Sequence, residues 1–206
     1  MTTSSAAPQT AGARERILAA AVDRIASDGI DDVRIARIAT DAGVSPPLVH
    51  YHFETREALL AEALEYSFEL AGDVRIGEGQ GAASHTERLA AMVDQCLPYE
   101  GDEQRDWILW VELWLRAVRH PELRPTASRL YVRMRKWFAG AIAAGVRDGE
   151  FRTAEPDRLA DRVLALLDGY GVRALIGDID VDHARDEIWA LLAGELGLDG
   201  EPPRRA

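Results

Sequence analysis

The chain has 206 residues, a formal net charge of −11 and one cysteine, Cys96. That length supports one or two small domains with a real core. The lone cysteine excludes an intrachain disulfide, no apolar run approaches the ~18 residues that cross a membrane, and the acidic balance argues against a protein that holds nucleic acid by charge alone.

The opening MTTSSAAPQTAGARER is small and polar and lacks a basic end followed by an apolar stretch. A disordered arm over 1–12, no secretory signal and a cytoplasmic setting are expected. A first helix is predicted over about 13–28, with Ile17, Leu18, Ala21, Val22 and Ile25 on one face and a stop near Gly29. The next stretch, VRIARIATDAGVSPPLVHYHFETREALL (33–60), carries the most information. Ile35, Ile38, Ala39 and Ala42 recur at helical spacing. Gly43 can take the left-handed conformation that ends a helix. Ser45 is a good N-cap, and Pro46 is tolerated at a first helical position. Small Ala39, the turn glycine and apolar Val49 occur in the order a helix-turn-helix needs, the device that places one helix in the major groove of DNA. A fourth helix is predicted over about 55–72, capped by Thr55, with Leu59, Leu60, Ala63, Leu64 and Phe68 inward, ending in the glycine-rich GDVRIGEGQG. Its continuity out of the DNA-binding part makes it the expected transmitter of movement.

A second domain is expected over 83–198. Its helices are predicted over about 84–98, 103–119, from the HPEL sequence to about 148, 156–176, and 182–196 with Asp182 as cap; a loose tail follows at 199–206. The 103–119 helix is apolar almost all round and is expected in the middle of a bundle. No strand pattern or repeat is visible. The predicted fold class is all-α, about nine helices, with a helix-turn-helix domain over 13–72.

The segment from about Arg14 to Phe68 resembles the TetR family of bacterial transcriptional regulators, through IARIATDAGVS, HYHF and TREALL. WVELWLRAVRHPELR, DGEFR and LALLDGYGVRALIG resemble the ligand-binding half of a BetI-like subgroup. The resemblance implies a homodimer through the last two helices, which here carry Val163, Leu166, Leu167, Tyr170, Leu175, Ile188, Leu191, Leu192 and Leu196. It implies that Ser45 caps the recognition helix and touches phosphate, next to Pro46, that Leu48, His50, Tyr51 and His52 face or flank the groove, and that Val49 and Phe53 are core. Three positions depart from the commonest family wording: Pro46 and Pro47 replace polar or glycine residues, His50 stands where tyrosine is typical, and Arg56 where a lysine usually opens the fourth helix. Arginine there can still bind phosphate.

Arg34 and Arg37 are the expected phosphate contacts of the second helix. They stand in a segment, 13–71, with six arginines against eleven acidic residues, so non-specific DNA affinity is expected to be weak and specific contacts to matter more. His50 and His52 are two apart on a helix, about 200° around its axis, and cannot share a metal ion. DIDVDHARDE lacks the glycine and closing carboxylate of a calcium loop. Cys96 lies among apolar residues and reads as a buried thiol. No metal, cofactor or enzymatic acid–base pair is expected.

Trp107, Trp110 and Trp114 form one stripe on the sixth helix; Tyr131, Met134 and Trp137 add soft surface on the seventh; Glu112, Asp168 and neighbouring Tyr170 complete the set. Aromatic faces with buried carboxylates suit an organic cation. The expected protein is a dimeric repressor on a palindromic operator, released by a small molecule, with a cationic or polyamine-like effector first and a neutral aromatic second. The alternative is a helical protein-interaction module without specific DNA binding.

Overall fold

The computed structural model describes residues 12–78, 84–152, 155–198 and 201–205, with side chains along the fourth helix as far as Ser67. The expected arm at 1–12 lies almost wholly outside them, as does the side chain of Phe68. Among the described residues the long elements are nine α-helices: α1 (Ala13–Asp28), α2 (Ile35–Asp41), α3 (Pro46–His52), α4 (Arg56–Glu78), α5 (His85–Asp94), α6 (Asp102–Arg119), α7 (Arg124–Arg147), α8 (Pro156–Leu175) and α9 (Val181–Leu196). A 3-10 turn at Pro121–Leu123 leads from α6 into α7, so the HPEL sequence opens a turn and α7 begins after it.

Local chemistry sets the first four helices. α1 buries Ile17, Leu18, Ala21, Val22 and Ile25 and ends where Gly29, at φ 75°, donates back to the Ile25 carbonyl. Gly43 takes φ 64°, the left-handed conformation, and lets Val44 N–H return 2.9 Å to the Ala39 carbonyl. Thr55 caps α4 through its hydroxyl, which accepts from Ala58 N–H at 3.0 Å. α4 then runs past the predicted stop at 72, through Gly72 and Gly77, to Glu78. A glycine costs a helix roughly 1 kcal/mol relative to alanine, but it does not by itself end one.

Two further boundaries move for similar reasons. α5 ends at Asp94, before the predicted Pro98, because the chain closes a turn there: Cys96 N–H donates to Val93 O at 3.0 Å. α9 starts one residue early because Asp180, rather than Asp182, is the cap; its carboxylate accepts from Asp182 N–H at 2.8 Å. Residues 201–205, expected within a loose tail, run back over the bundle. Asp94 and Arg185 form a buried pair at 2.5 and 3.2 Å, Arg185 also donates to the Pro203 carbonyl at 2.5 Å, and the Arg205 guanidinium lies 3.5 Å above the Tyr99 ring.

Two cores result. One joins α1–α4 to Trp107, Leu109, Trp110 and Leu113 of α6 and Leu130 of α7. The other is built by α5, α7, α8 and α9 around Phe138, Ile142, Val163, Leu167, Ile188 and Leu192. α6 is therefore shared between the helix-turn-helix part and the bundle. It is not enclosed all round: Leu115 is 46% and Val118 73% exposed. Ion pairs reinforce the junction between Arg105 and Asp23, between Arg129 and Glu65, and between Arg116 and Asp31 at 2.7 Å.

Candidate DNA-reading face and ligand cage

Val49, fully buried, and Phe53, 3% exposed, lock α3 against α1 and α2. The opposite face of α3 is open: Ser45, Pro46, Pro47, His50 and Tyr51 are exposed, with Leu48 and His52 half-buried at its edges. Tyr51 is 82% exposed, and its ring meets His52 edge-on at 5.3 Å. Ser45 occupies the N-cap position, but its side chain makes no capping hydrogen bond. The prolines explain this. Neither has an N–H to offer, and the next two amides, of Leu48 and Val49, donate to the Ser45 carbonyl at 3.0 and 3.3 Å. The Ser45 hydroxyl is thereby left to the outside of the helix end.

The cations of this face differ in how far they are committed. Arg34 and Arg37 are exposed, and Arg37 stands 3.5 Å from Asp28. Arg24 is clasped by Asp41 at 2.5 and 3.1 Å. Arg56 is turned inward: it donates to the carbonyls of Ile30, Asp31 and Val33 at 2.6, 3.0 and 3.0 Å. This residue, expected to meet phosphate, thus ties the start of α4 to the loop before α2.

In the bundle, Trp107, Trp110, Tyr131, Met134, Asp168 and Cys96 come together around a small, partly open cavity of about 40 Å³. Trp114 stands behind them, edge-on to Trp107 at 6.0 Å, tilted on Trp110 at 5.5 Å and parallel to Tyr131 within 5°. The Tyr131 hydroxyl donates to Asp168 at 2.7 Å. Burial pushes the Asp168 carboxyl above its ordinary range, and the Tyr131 hydrogen bond pulls it only part of the way back. Burial, then Asp168, pushes the Tyr131 phenol far up, so that the phenol stays protonated as donor.

Backbone fixes this arrangement. The Trp107 indole N–H donates to the Cys96 carbonyl at 3.0 Å, and its ring lies on α8 at Gly171, where an added Cβ would sit 2.1 Å from the ring. Three expected ligand residues lie elsewhere. Glu112 is half-buried outside the cavity lining, and Trp137 packs on Phe138. Tyr170 turns to α9, edge-on to His183 and 3.5 Å from Glu187. Asp106 lines the cavity instead and was missed. Its spacing of four from Trp110 places both on one helix face and was the available signal.

A short helix with an open face on one core, and an aromatic cavity holding a half-buried carboxylate between that core and the other, is the plan of a one-component transcription regulator. Comparison with known proteins agrees. Residues 17–63 match the model for bacterial regulatory proteins of the tetR family, and residues 85–197 match that for the BetI-type transcriptional repressor C-terminal domain. The HTH-type transcriptional regulator BetI of Brucella suis is 27% identical over 192 residues, 92% of this chain and 93% of its own. A regulator from Saccharomonospora viridis, solved in complex with choline, is 35% identical, with a TM-score of 0.77, 87% of this chain and 95% of its own covered. A TetR-family regulator from a Rhodococcus species is 31% identical, with a TM-score of 0.76 over 89% of this chain and 98% of its own. The chain belongs to the TetR family of transcriptional regulators. Its N-terminal part is the DNA-binding domain and its C-terminal part the BetI-type ligand-binding domain.

Proposed function

We propose that this protein is a repressor that binds a palindromic operator as a dimer and is released by a small organic cation. The observation that carries the effector is Asp168. A carboxylate held among Trp107, Trp110 and Tyr131 offers charge pairing and ring faces to one cationic centre. The choline complex of the Saccharomonospora relative supports the same chemistry.

On the DNA side, Tyr51, His50 and His52 read the groove with Leu48 and Pro46, while Ser45, Arg34 and Arg37 hold phosphate. Arg56 acts indirectly, by holding the 30–33 loop. Dimerisation uses the outer face of α8 and α9, where Ala165, Gly169, Ala190 and Gly194 are exposed and Leu166, Tyr170 and Leu191 half-buried. Small residues there let partner helices approach closely. Val163, Leu167, Ile188, Leu192 and Leu196 serve the intrachain core instead.

Titration of tryptophan fluorescence with tetramethylammonium and choline, alongside operator binding by anisotropy, tests the reading. Quenching that parallels loss of operator affinity is expected, with Asp168→Asn weakening it at least tenfold. Unaltered quenching in Asp168→Asn, or none in the wild type, overturns the cationic effector.

A further inference from the structure

Tyr131 and Asp168 line more than that small cavity. They also line an open groove of about 600 Å³, together with Trp114, Ala117, Val118, Arg124 and Ala127. Tyr131 and Asp168, joined at 2.7 Å, therefore stand where the cavity and the groove adjoin. A cavity of about 40 Å³ accommodates a water molecule or so. It takes no tetra-substituted ammonium unless a wall moves. The wall that an ammonium displaces most readily is the phenol, because the incoming charge replaces the hydrogen bond that Asp168 loses.

We propose that the effector is an ammonium carrying one apolar arm, whose head displaces Tyr131 from Asp168 and whose arm lies in the groove of Trp114, Ala117, Val118 and Ala127. The inference rests on the organic-cation reading above and adds the shape of the ligand. Two observations select this groove and this arm. A second opening beside Tyr131 and Asp168 is more polar: Ser128 and the Arg135–Asp161 ion pair, 3.8 Å apart, line it together with Val132, Leu164 and Ala165, and so suit an apolar arm less well. The apolar groove is bounded by Arg124, whose guanidinium is fixed on the Ala117 and Val118 carbonyls at 3.1 and 3.4 Å. A positive charge at that boundary rejects a second ammonium and so disfavours a polyamine.

The test is a binding series by tryptophan fluorescence, kept below micelle-forming concentrations. It runs through tetramethylammonium, butyl-, hexyl- and octyltrimethylammonium, and the bis-quaternary hexane-1,6-bis(trimethylammonium). Affinity is expected to rise about fourfold per fully buried methylene over the first several carbons. The bis-quaternary compound should bind no more tightly than tetramethylammonium. Val118→Glu, at an exposed position of the groove outside the cage, should cost the octyl compound tenfold or more and leave tetramethylammonium within twofold. Tetramethylammonium binding with no gain along the series, or a gain that Val118→Glu does not reduce, overturns the arm and leaves the cationic head standing. Failure of every member to bind removes the cationic reading and the arm together. Tightest binding by the bis-quaternary compound replaces the single-charged ligand with a dication.

Discussion

At the scale of single residues, the cage depends on Gly171 as much as on its aromatic rings. Any side chain there collides with Trp107. Gly171→Ala is expected to destabilise the fold by about 1–3 kcal/mol in urea denaturation, since overpacking forces rings and backbone apart. The same variant should blunt the fluorescence response. A second residue, Glu150, acts far from the cage. Its carboxylate caps α5, accepting from the His85 and Thr86 amides at 2.9 and 2.7 Å and from the Thr86 hydroxyl at 2.5 Å. Burial pushes its carboxyl up, but the Thr86 and His85 hydrogen bonds pull it further down, so it ends below its ordinary 4.5. A depressed carboxylate stabilises the fold above the unfolded value and loses that contribution as pH falls from about there through the folded value. Thermal melts should therefore show Glu150→Gln less stable than wild type near neutrality, by about 1–2 kcal/mol, with the gap closing in acid. Spacing on a helix placed the three tryptophans of α6 on one stripe, while Glu112 and Asp168 stood out only as nearby carboxylates, on α6 and α8. It did not reveal which of several acids shared that face in space. Glu112 and Tyr170 were sensible by proximity, but α6 and α8 are rotated so that Asp106 and Asp168 point to the cavity.

At the scale of elements, α3 is held by its buried side and works through its open one. Tyr51→Ala removes a ring that is 82% exposed and supports nothing in the core. Operator binding is expected to be lost in anisotropy, with the melting temperature and oligomeric state unchanged; normal binding would remove α3 as the reading helix. The helix-turn-helix was legible almost to the residue because it rests on backbone demands, a left-handed glycine and a helix start that accepts proline, that few sequences satisfy by accident. The end of α4 was not, since a glycine inside a helix and a glycine after it look the same in sequence, and tertiary support decides between them. The inward turn of Arg56 was equally hidden. A guanidinium at the start of a helix can reach phosphate or a neighbouring carbonyl, and the carbonyls of 30–33 become neighbours only once α1 and α4 have packed.

At the scale of the molecule, the ligand helix α6 bears the tryptophans on the cage side and, elsewhere on its surface, Arg105 and Arg116, which reach α1 and the loop after it. Arg116→Ala should leave effector affinity within a fewfold of wild type and shrink the effector's influence on operator affinity, measured by anisotropy with and without ligand; unchanged coupling would show that α4 alone carries the signal. The four-residue stretch 30–33 has two holders. Arg56 of α4 grips its backbone, and Arg116 of α6 grips its Asp31 side chain. A loop fastened at two points to two different helices is a differential. It is blind to any motion those helices share and distorts only with the offset between them. On that geometry a rigid shift of the whole bundle leaves the 30–33 loop unstrained, whereas a ligand that slid α6 against α4 would strain it.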